Sequence, residues 1–456
     1  MSTRLRLGNF KCHREVDLRL APITAFFGAN SSGKTSLLQA LLLLKQTAAS
    51  ADRASVLNLG SEHDRFQAGS FRGLLGDVGL PLDIGLSWAP HGRTMPWDDQ
   101  LSGLRGEVAA SDWLAFSTRL SQPGSNGSRQ GVAVVDHLRY GFGDVKSIHY
   151  DGSELPPLRA EGFDLVRQGG PHRWLPGPVK CYGFPDEVGA EYQDAGFVFD
   201  LQLALEQVLK RVLHLGPLRD HGRREYRWSG TVPEDVGAKG ERFVELLLAR
   251  QGADPPSAGT GEAFAELIAS RLVQLGLVES FTVRPVAPSS DLYLVWVRTP
   301  GSAREVLLTD VGVGVSQVLP VLVLCYAAPR GSIILLEQPE IHLHPAVQSG
   351  LADILIDAAE RRGVQIIVES HSEHLLRRLQ RRIAENAQPA EGSVATPEGI
   401  ALYFCQMRDG AAQVEELALD AYGDIANWPP GFFGDEFGEI AATVQAQMAR
   451  RQAWRA

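Results

Sequence analysis

Hydrophobic and polar positions near the start of the chain change from one period to another. Arg4–Phe10 predicts a first strand, and Val16–Leu20 alternates apolar and polar residues like its hairpin partner. Ile23–Phe27 is apolar except for Thr24, a pattern typical of a strand buried on both faces of a sheet. After a glycine-rich stretch, Ser36–Lys45 is apolar and rich in helix-forming residues. The order is therefore strand, glycine loop and helix.

The same pattern of buried strands and helices returns in the last third of the chain. Ser332–Leu336 and Val364–Val368 predict buried strands, and Pro345–Ala359 and Glu373–Arg382 predict helices. Between the two regions, short alternating segments are interrupted by Gly, Pro, Asn and Asp, which predicts a β-rich insertion with loops. The helical stretches expected within it lie near Gln202–Leu213, Glu241–Arg250 and Gly261–Leu275.

Composition narrows the class of protein. The 456 residues are enough for two or three units of roughly 150 residues each. The net charge of −10 argues against a surface devoted as a whole to nucleic acid. Four scattered cysteines without a CxxC pair indicate neither a zinc site nor a disulfide framework, so a reducing cytoplasm fits best. The longest apolar run, about Val318–Ala328, is shorter than the roughly 20 residues of a membrane span, so we expect no membrane partner.

The glycine loop carries the first chemical motif. Gly28–Thr35 matches G-x4-G-K-[ST] without a mismatch, in the required position between a buried strand and a helix. Glycines let backbone N–H groups face a phosphate, and the helix adds its positive N-terminal end. Lys34 is expected to reach the β- and γ-phosphates of ATP, and the Thr35 hydroxyl to bind Mg²⁺. The predicted ATP-binding residues here are Gly28, Ala29, Asn30, Ser31, Ser32, Gly33, Lys34, Thr35 and Ser36.

Acidic residues and a histidine follow the later buried strands. Glu337 comes at the end of a strand, so it is expected to hold magnesium together with Thr35. Glu340, three residues further on, suits polarising the attacking water. His371 lies just past the next buried strand, where it could bind the γ-phosphate and sense its loss. Glu340 and His371 are therefore the predicted catalytic residues.

A second glycine-rich turn precedes an apolar helix. Asp310–Gln317 contains two glycines and Ser316, which predicts another anion-binding helix N-terminus. Because one ATP has a single γ-phosphate, this turn makes sense if Ser316 and Gln317 bind the ATP of another copy. Proline is tolerated only in the first turn of a helix, so Pro320 predicts that the helix begins close to Ser316.

The motifs together resemble ABC-like P-loop ATPases of the family that includes the SMC, RecF and overcoming-lysogenization-defect (OLD) proteins. In that comparison Gly28–Thr35 resembles Walker A, Leu335–Glu340 Walker B, and Asp310–Gln317 the signature motif. His371 resembles the switch histidine. The usual Walker B aspartate is Glu337 here, and the signature is VGVGVSQ rather than LSGGQ. The tail, Trp428–Phe433, is similar to that of a bacterial AAA-type subgroup that ends in a small domain of unknown function.

The resemblance implies an α/β fold with a mixed sheet, divided along the chain. Residues 1–76 and 305–395 are the two ATPase halves, which must meet in one sheet because neither holds a full nucleotide site. Residues 77–304 are the β-rich insertion with helices, and residues 396–456 are a small C-terminal α+β extension. Three further candidates are less defined. Gln67 is a candidate for the glutamine lid, and Arg219 could approach the nucleotide or a partner subunit. The basic ridge Arg377–Arg382 is a candidate contact for a phosphate backbone.

The function that this resemblance implies is a nucleotide-driven switch. Two copies, or a higher homo-oligomer, would enclose Mg-ATP, hydrolyse it and drive a separately encoded effector, a nuclease or a toxin, in bacterial antiphage defence. The alternative is a RecF- or SMC-like ATPase of DNA repair or maintenance that binds DNA directly. A nuclease in its own right, an ATP-binding scaffold with slow turnover and an ABC transporter subunit remain further alternatives.

Overall fold

The computed structural model describes residues 3–62, 64–88, 113–122, 133–142, 146–153, 158–168, 175–193, 195–251, 264–390, 392–429, 432, 442–447 and 450. The strands are β1 (Thr3–Phe10), β2 (His13–Leu20), β3 (Ile23–Gly28), β4 (Leu82–Trp88), β5 (Leu114–Ser121), β6 (Val134–Phe142), β7 (Lys146–Asp151), β8 (Leu158–Glu161), β9 (Val212–Leu215), β10 (Tyr226–Arg227), β11 (Ser280–Pro285), β12 (Leu292–Arg298), β13 (Val306–Leu307), β14 (Ile333–Glu337), β15 (Gln365–Glu369), β16 (Ile400–Arg408) and β17 (Ala411–Glu416). The helices are α1 (Lys34–Ala49), α2 (Val188–Glu191), α3 (Phe197–Lys210), α4 (Phe243–Gln251), α5 (Phe264–Gln274), α6 (Val313–Ala327), α7 (Pro345–Arg362) and α8 (Glu373–Glu385). Short 3₁₀ turns cover Phe71–Leu74 and Leu308–Asp310.

The central sheet has six strands in the order β17, β16, β3, β15, β14, β9. β3 lies between β15 and β16 and is parallel to both, while β14 is parallel to β15 and β9. β17 is the antiparallel edge strand, so the sheet is mixed, as predicted. The two halves of the chain that the sequence assigns to one site therefore meet where β3 pairs with β15.

Two further sheets cover the central one. β2, β1, β4, β5, β6, β7 and β8 form a seven-stranded antiparallel sheet, which extends the predicted N-terminal hairpin. β10, β12, β11 and β13 form a small antiparallel sheet. The central sheet buries both faces, because alternate residues of its strands belong to two hydrophobic cores. Leu335 and Ile367 pack with α1, α3 and the seven-stranded sheet, whereas Leu336 and Val368 pack with α4 to α8.

The structure corrects one predicted element and qualifies the division into segments. The helix predicted over Gln202–Leu213 ends at Lys210, and Val212–Leu215 is a strand with all four residues buried. This stretch pairs with β14, and its burial in a parallel sheet overrides helical periodicity. β9 comes from the predicted insertion and β16 from the predicted C-terminal extension, yet both lie in the central sheet. The four segments of the sequence are therefore not four separate packing units.

Within the described ranges, none of the helices combines the length and apolar character that crossing a membrane requires. The most apolar helix, α6, has 15 residues and is buried inside the protein along most of its length.

Candidate nucleotide site

The loop Gly28–Thr35 joins β3 to α1 and bends at its glycines. Gly28 has a φ of 138° and Gly33 a φ of 93°, in the region that favours glycine. A Cβ atom on Gly28 would lie 2.0 Å from the carbonyl oxygen of Cys405 on β16, so only glycine fits there. Residues 29–31 are exposed at the N-terminus of a 16-residue helix. The loop thus presents backbone N–H groups where helix N-termini bind phosphate.

Lys34 lies inside this loop. Its Nζ donates hydrogen bonds to the carbonyl oxygens of Gly28 at 3.0 Å and Ala29 at 2.6 Å, and to Ser32 Oγ at 3.4 Å. Burial lowers the pKa of Lys34, and the charges of Glu369 and Glu340 oppose that effect. The ammonium is therefore already held at the loop by neutral oxygens, which phosphate oxygens would replace with a stronger, charged interaction.

Glu369 is the carboxylate that contacts the loop directly. Thr35 Oγ1 donates a 2.8 Å hydrogen bond to Glu369 Oε2. Glu369 ends β15, the strand that separates β3 from β14, and it pairs in register with Glu337. Burial raises the pKa of Glu369, and the neighbouring charge of Glu337 raises it further, against the hydrogen bond from Thr35. Sequence reasoning missed this residue.

Glu337 is buried and bonded to a histidine that the sequence did not single out. His214 Nε2 on β9 donates to Glu337 Oε1 over 2.7 Å. The two side chains lie on neighbouring strands, where β9 completes the sheet beside β14. The bond fixes the orientation of the Glu337 carboxylate at the end of its strand. Finding His214 from the sequence would have required the VLHL stretch to be identified as a strand rather than a helix end.

Glu340 lies at the same end of the sheet and points into a buried space. Its Oε1 accepts a 2.7 Å hydrogen bond from the His371 backbone N–H. Its Oε2 is buried without a partner in the described part of the chain. Burial raises the pKa of Glu340, and the hydrogen bond from the His371 backbone N–H opposes the rise. A carboxylate with one oxygen held and the other unpartnered is suited to accept a proton.

His371 is half-buried between the loop and Glu340. Burial lowers the pKa of its imidazole and the Lys34 ammonium lowers it further, while a hydrogen bond to the Gly28 backbone raises it. The structure thus brings His371 beside both the start of the phosphate loop and the acidic loop Glu337–Glu340 at the end of β14.

Ser316 and Gln317 lie apart from these contacts. Both are buried in the first turns of α6, and Ser316 Oγ donates to the Val313 carbonyl at 2.8 Å. The predicted helix start close to Ser316 is wrong, because α6 begins at Val313 and contains Pro320 in its interior. The Cβ of Pro320 fills the space beside Gly240, so tertiary packing compensates for the lost backbone hydrogen bond. The exposed residues of this turn are Asp310, Gly312 and Val313, and Ser316 is not among them.

Magnesium fits the residues at the loop by the chemistry of its donors. The Thr35 hydroxyl and the carboxylates of Glu369 and Glu337 are hard oxygen ligands, which Mg²⁺ prefers. In the described ranges no cluster of three or more His, Cys, Asp or Glu side chains could hold a metal alone.

The positive charge of the predicted basic ridge is largely offset. Its arginines are all paired with acidic side chains on α7 and α8. The pairs are Arg377 with Glu373, Arg378 and Arg382 with Asp353, and Arg381 and Arg382 with Glu385. The ridge therefore offers little free positive charge to a phosphate backbone. Gln67 is exposed, and nothing in the described structure ties it to the loop.

Arg219, which the sequence suggested near the nucleotide or a partner, is buried and bonds backbone carbonyl oxygens rather than an acidic side chain. It is 6% exposed, and its Nη2 donates to the carbonyl oxygens of Glu337 at 2.9 Å and Gln338 at 3.0 Å. Burial lowers the pKa of its guanidinium to about 10, against the charges of Glu340 and Glu337. The arginine therefore supports the acidic loop through its backbone carbonyl oxygens.

Family comparisons agree with this geometry. Residues 204–377 match the family model "AAA domain, putative AbiEii toxin, Type IV TA system", and residues 1–70 match "AAA ATPase domain". Residues 396–442 match a "Protein of unknown function (DUF3696)". Together the two AAA models cover the phosphate loop and the strands β9, β14 and β15, which agrees with the P-loop ATPase expected from the sequence.

One curated protein resembles a short segment of the chain, and two solved structures resemble most of the chain at low sequence identity. The OLD nuclease of Thermus scotoductus is 46% identical over 44 residues, which are 10% of this chain and 8% of that protein. The chain thus matches a small fraction of that relative's length. The SMC head bound to the C-terminal winged-helix domain of ScpA has a TM-score of 0.42 at 14% identity, covering 91% of this chain and 98% of that one. The SMC head domain of Thermotoga maritima has a TM-score of 0.41 at 12% identity, covering 91% and 99%.

Proposed function

We propose that the chain hydrolyses Mg-ATP and acts as a nucleotide-driven switch between two copies. The observation that carries the proposal is the convergence of Lys34, Thr35, Glu369 and Glu340 at the carboxyl ends of β3, β15 and β14. A lysine and a threonine at a phosphate loop, facing carboxylates across adjacent parallel strands, are the groups that phosphoryl transfer to water requires.

Each residue has a distinct task in this proposal. Lys34 moves from its loop carbonyls onto the β- and γ-phosphates of ATP. Glu340 Oε2 takes a proton from water as the water oxygen bonds to the γ-phosphorus, and the bond from that phosphorus to the bridging oxygen breaks, releasing ADP. Thr35, Glu369 and Glu337 hold magnesium directly or through water; when bound, the ion offsets charge on the phosphates. His371, beside Gly28 and Glu340, binds the γ-phosphate and responds to its release.

A second copy completes the site in this proposal. The backbone N–H groups of the exposed first turn of α6, with Ser316 and Gln317 behind them, bind the γ-phosphate held by the partner. Because Ser316 Oγ already donates within its own helix, backbone groups carry more of this role than the serine hydroxyl. Homodimers, or higher homo-oligomers, therefore form through ATP.

The test is phosphate release measured over a wide range of protein concentration with Mg-ATP in excess. A rate per chain that increases with concentration and saturates supports a dimeric ATPase. A constant rate from a protein that remains monomeric by light scattering would remove the dimer from the proposal. Absence of magnesium-dependent hydrolysis at every concentration would remove the ATPase itself.

For the biological role we propose bacterial antiphage defence in the cytoplasm, with a separate nuclease or toxin as effector. Support comes from the resemblance of a short segment to an OLD nuclease and from an AAA family model whose description includes a toxin. The alternative is direct DNA binding in repair or maintenance, which the paired arginines of α8 do not favour. Plaque assays on cells carrying the wild type or Glu340→Gln test the defence role. Equal plaque numbers with both would contradict it.

A further inference from the structure

Arg219 is a buried cation that connects two parts of the nucleotide site. Its neighbour Leu218 is 75% exposed, whereas Arg219 itself is 6% exposed, so the chain turns this one side chain inward. Its segment is held in place from both ends. The backbone N–H of Gly216 donates to Ala238, and that of Asp220 donates to Lys239. A guanidinium fixed in this way is a structural support rather than a mobile surface group.

The contacts of Arg219 join the acidic loop to α6. Nη2 bonds the carbonyl oxygens of Glu337 and Gln338 at 2.9 and 3.0 Å. Nη1 makes longer 3.5 Å contacts with the carbonyl oxygens of Pro339 and, on α6, Gln317. Three carbonyl oxygens of the acidic loop and one of α6 therefore face the planar guanidinium, a geometry that a lysine ammonium reproduces only in part.

The backbone at this point needs support. Gln338 has a φ of 44°, in the left-handed region that disfavours residues other than glycine. Such a conformation persists when surrounding contacts fix it. The Gln338 N–H donates to the Glu369 carbonyl, and its own carbonyl accepts from Arg219. The turn that aims Glu340 at the loop is therefore held between β15 and Arg219.

Charge gives the same residue a second effect. Glu337, Glu340 and Glu369 place three carboxylates close together, while the cations near them are Lys34 and Arg219. In the described structure Arg219 bonds backbone carbonyls and no carboxylate, so its charge acts on the cluster through space. Buried carboxylates that lie close together repel one another unless a cation offsets their charge.

We propose that Arg219 is a positioning residue that ties the acidic loop Glu337–Glu340 to the start of α6. This inference rests on the proposed function, since α6 is the element expected to meet the partner's ATP. A shift of α6 on dimer formation would then reach Glu340 through one guanidinium, without any contact between Arg219 and the nucleotide.

The experiment compares Arg219→Gln and Arg219→Lys with Arg223→Gln. Arg223 lies four residues further along the same loop, is exposed and pairs with Asp220, so it is the matched control. Circular dichroism and thermal unfolding establish that each variant folds. Hydrogen exchange is then followed without nucleotide, because this readout does not depend on hydrolysis. We expect faster exchange in both 338–343 and 313–318 for Arg219→Gln, a smaller increase for Arg219→Lys, and none for Arg223→Gln.

Kinetics supply the second readout. For Arg219→Gln we expect kcat to fall by about 100-fold with the Kd for Mg-ATP within about threefold, as for a displaced rather than a missing catalytic group. We expect Arg219→Lys to recover kcat only in part. Unchanged exchange in both segments of Arg219→Gln would overturn the inference. If exchange changes as expected but the wild type never hydrolyses ATP, the link stands and the proposed function fails. If Arg219→Gln does not fold, faster exchange in both segments of a folded Arg219→Lys protein supports the link, and wild-type exchange in both segments contradicts it.

Discussion

The Thr35 hydroxyl donates a 2.8 Å hydrogen bond to Glu369 Oε2, and this bond joins the first turn of α1 to the end of β15. The chain positions of the two residues differ by 334, yet they meet because β15 pairs with β3. Since Thr35 is the residue expected to bind magnesium, its partner Glu369 belongs to the same site.

Glu369→Gln tests this pairing. The amide keeps the shape of the side chain but removes its charge, so we expect half-maximal hydrolysis to need about tenfold more magnesium. Burial and Glu337 raise the pKa of Glu369 in the folded protein. Its ionisation therefore reduces stability as pH rises through the folded pKa, and the full stability is present below the unfolded value. Without nucleotide, Glu369→Gln should raise Tm at pH 7, whereas Glu15→Gln, at an exposed residue of β2, should change neither the magnesium requirement nor Tm.

Glu340→Gln is expected to bind Mg-ATP normally and to lose hydrolysis by at least about 100-fold, because its amide cannot accept the water proton. Size-exclusion chromatography with ATP should show a dimer that persists for longer than that of the wild type. Normal turnover in this variant would mean that another carboxylate, with Glu369 the nearest to Thr35, is the base.

The pH dependence of hydrolysis should reflect the burial of Glu340. Burial raises the pKa of this carboxyl, and a general base acts only when ionised. We expect kcat at saturating Mg-ATP to increase with pH along an acidic limb whose midpoint lies above that of an ordinary glutamate. Initial rates between about pH 5 and pH 8 measure it. A flat profile over that range would contradict Glu340 as the titrating base.

Gly28→Ala should abolish nucleotide binding and destabilise the protein by more than about 2 kcal/mol, because a φ of 138° and a contact of 2.0 Å with the Cys405 carbonyl both exclude a side chain. Gly69→Ala is the matched control. Its φ is also positive, at 70°, but a Cβ there meets nothing within 4 Å, so a loss of about 1 kcal/mol with normal ATP binding is expected. Urea unfolding and titration with a fluorescent ATP analogue measure the two effects.

The C-terminal aromatic motif, Trp428–Phe433, is expected to support the phosphate loop from the face of β3 on which Phe27 lies. Phe432 packs edge-on against Phe27, the residue before Gly28, at 6.1 Å between ring centroids, and against Phe404 at 4.7 Å. Phe432→Ala should lower stability by about 3 kcal/mol or more and weaken ATP binding with it. Tyr422→Ala removes an aromatic ring that is 79% exposed and should change neither. Wild-type ATP affinity in a folded Phe432→Ala protein would show that the motif does not reach the site.

Local patterns in the sequence were enough for most elements of the site. The predicted strand Ile23–Phe27 is observed as Ile23–Gly28, and the predicted helix Pro345–Ala359 as Pro345–Arg362. The phosphate loop could be identified because its chemistry needs a contiguous run of residues. Glu369, His214 and Arg219 could not be placed, because their roles depend on which strands are neighbours. A pattern of buried residues shows that a strand lies inside a sheet but not beside which strand.

The position of β3 between β15 and β16 has a consequence for how the protein is made. Residues 23–28 leave the ribosome well before the strands on either side of them, which span residues 365–369 and 400–408. At about 5–20 residues per second, the first of these partners appears roughly 20–70 s later. The newly made phosphate loop has no neighbouring strands of the central sheet to anchor it during that interval, so the ability to hold ATP arises only after β15 and β16 have been made.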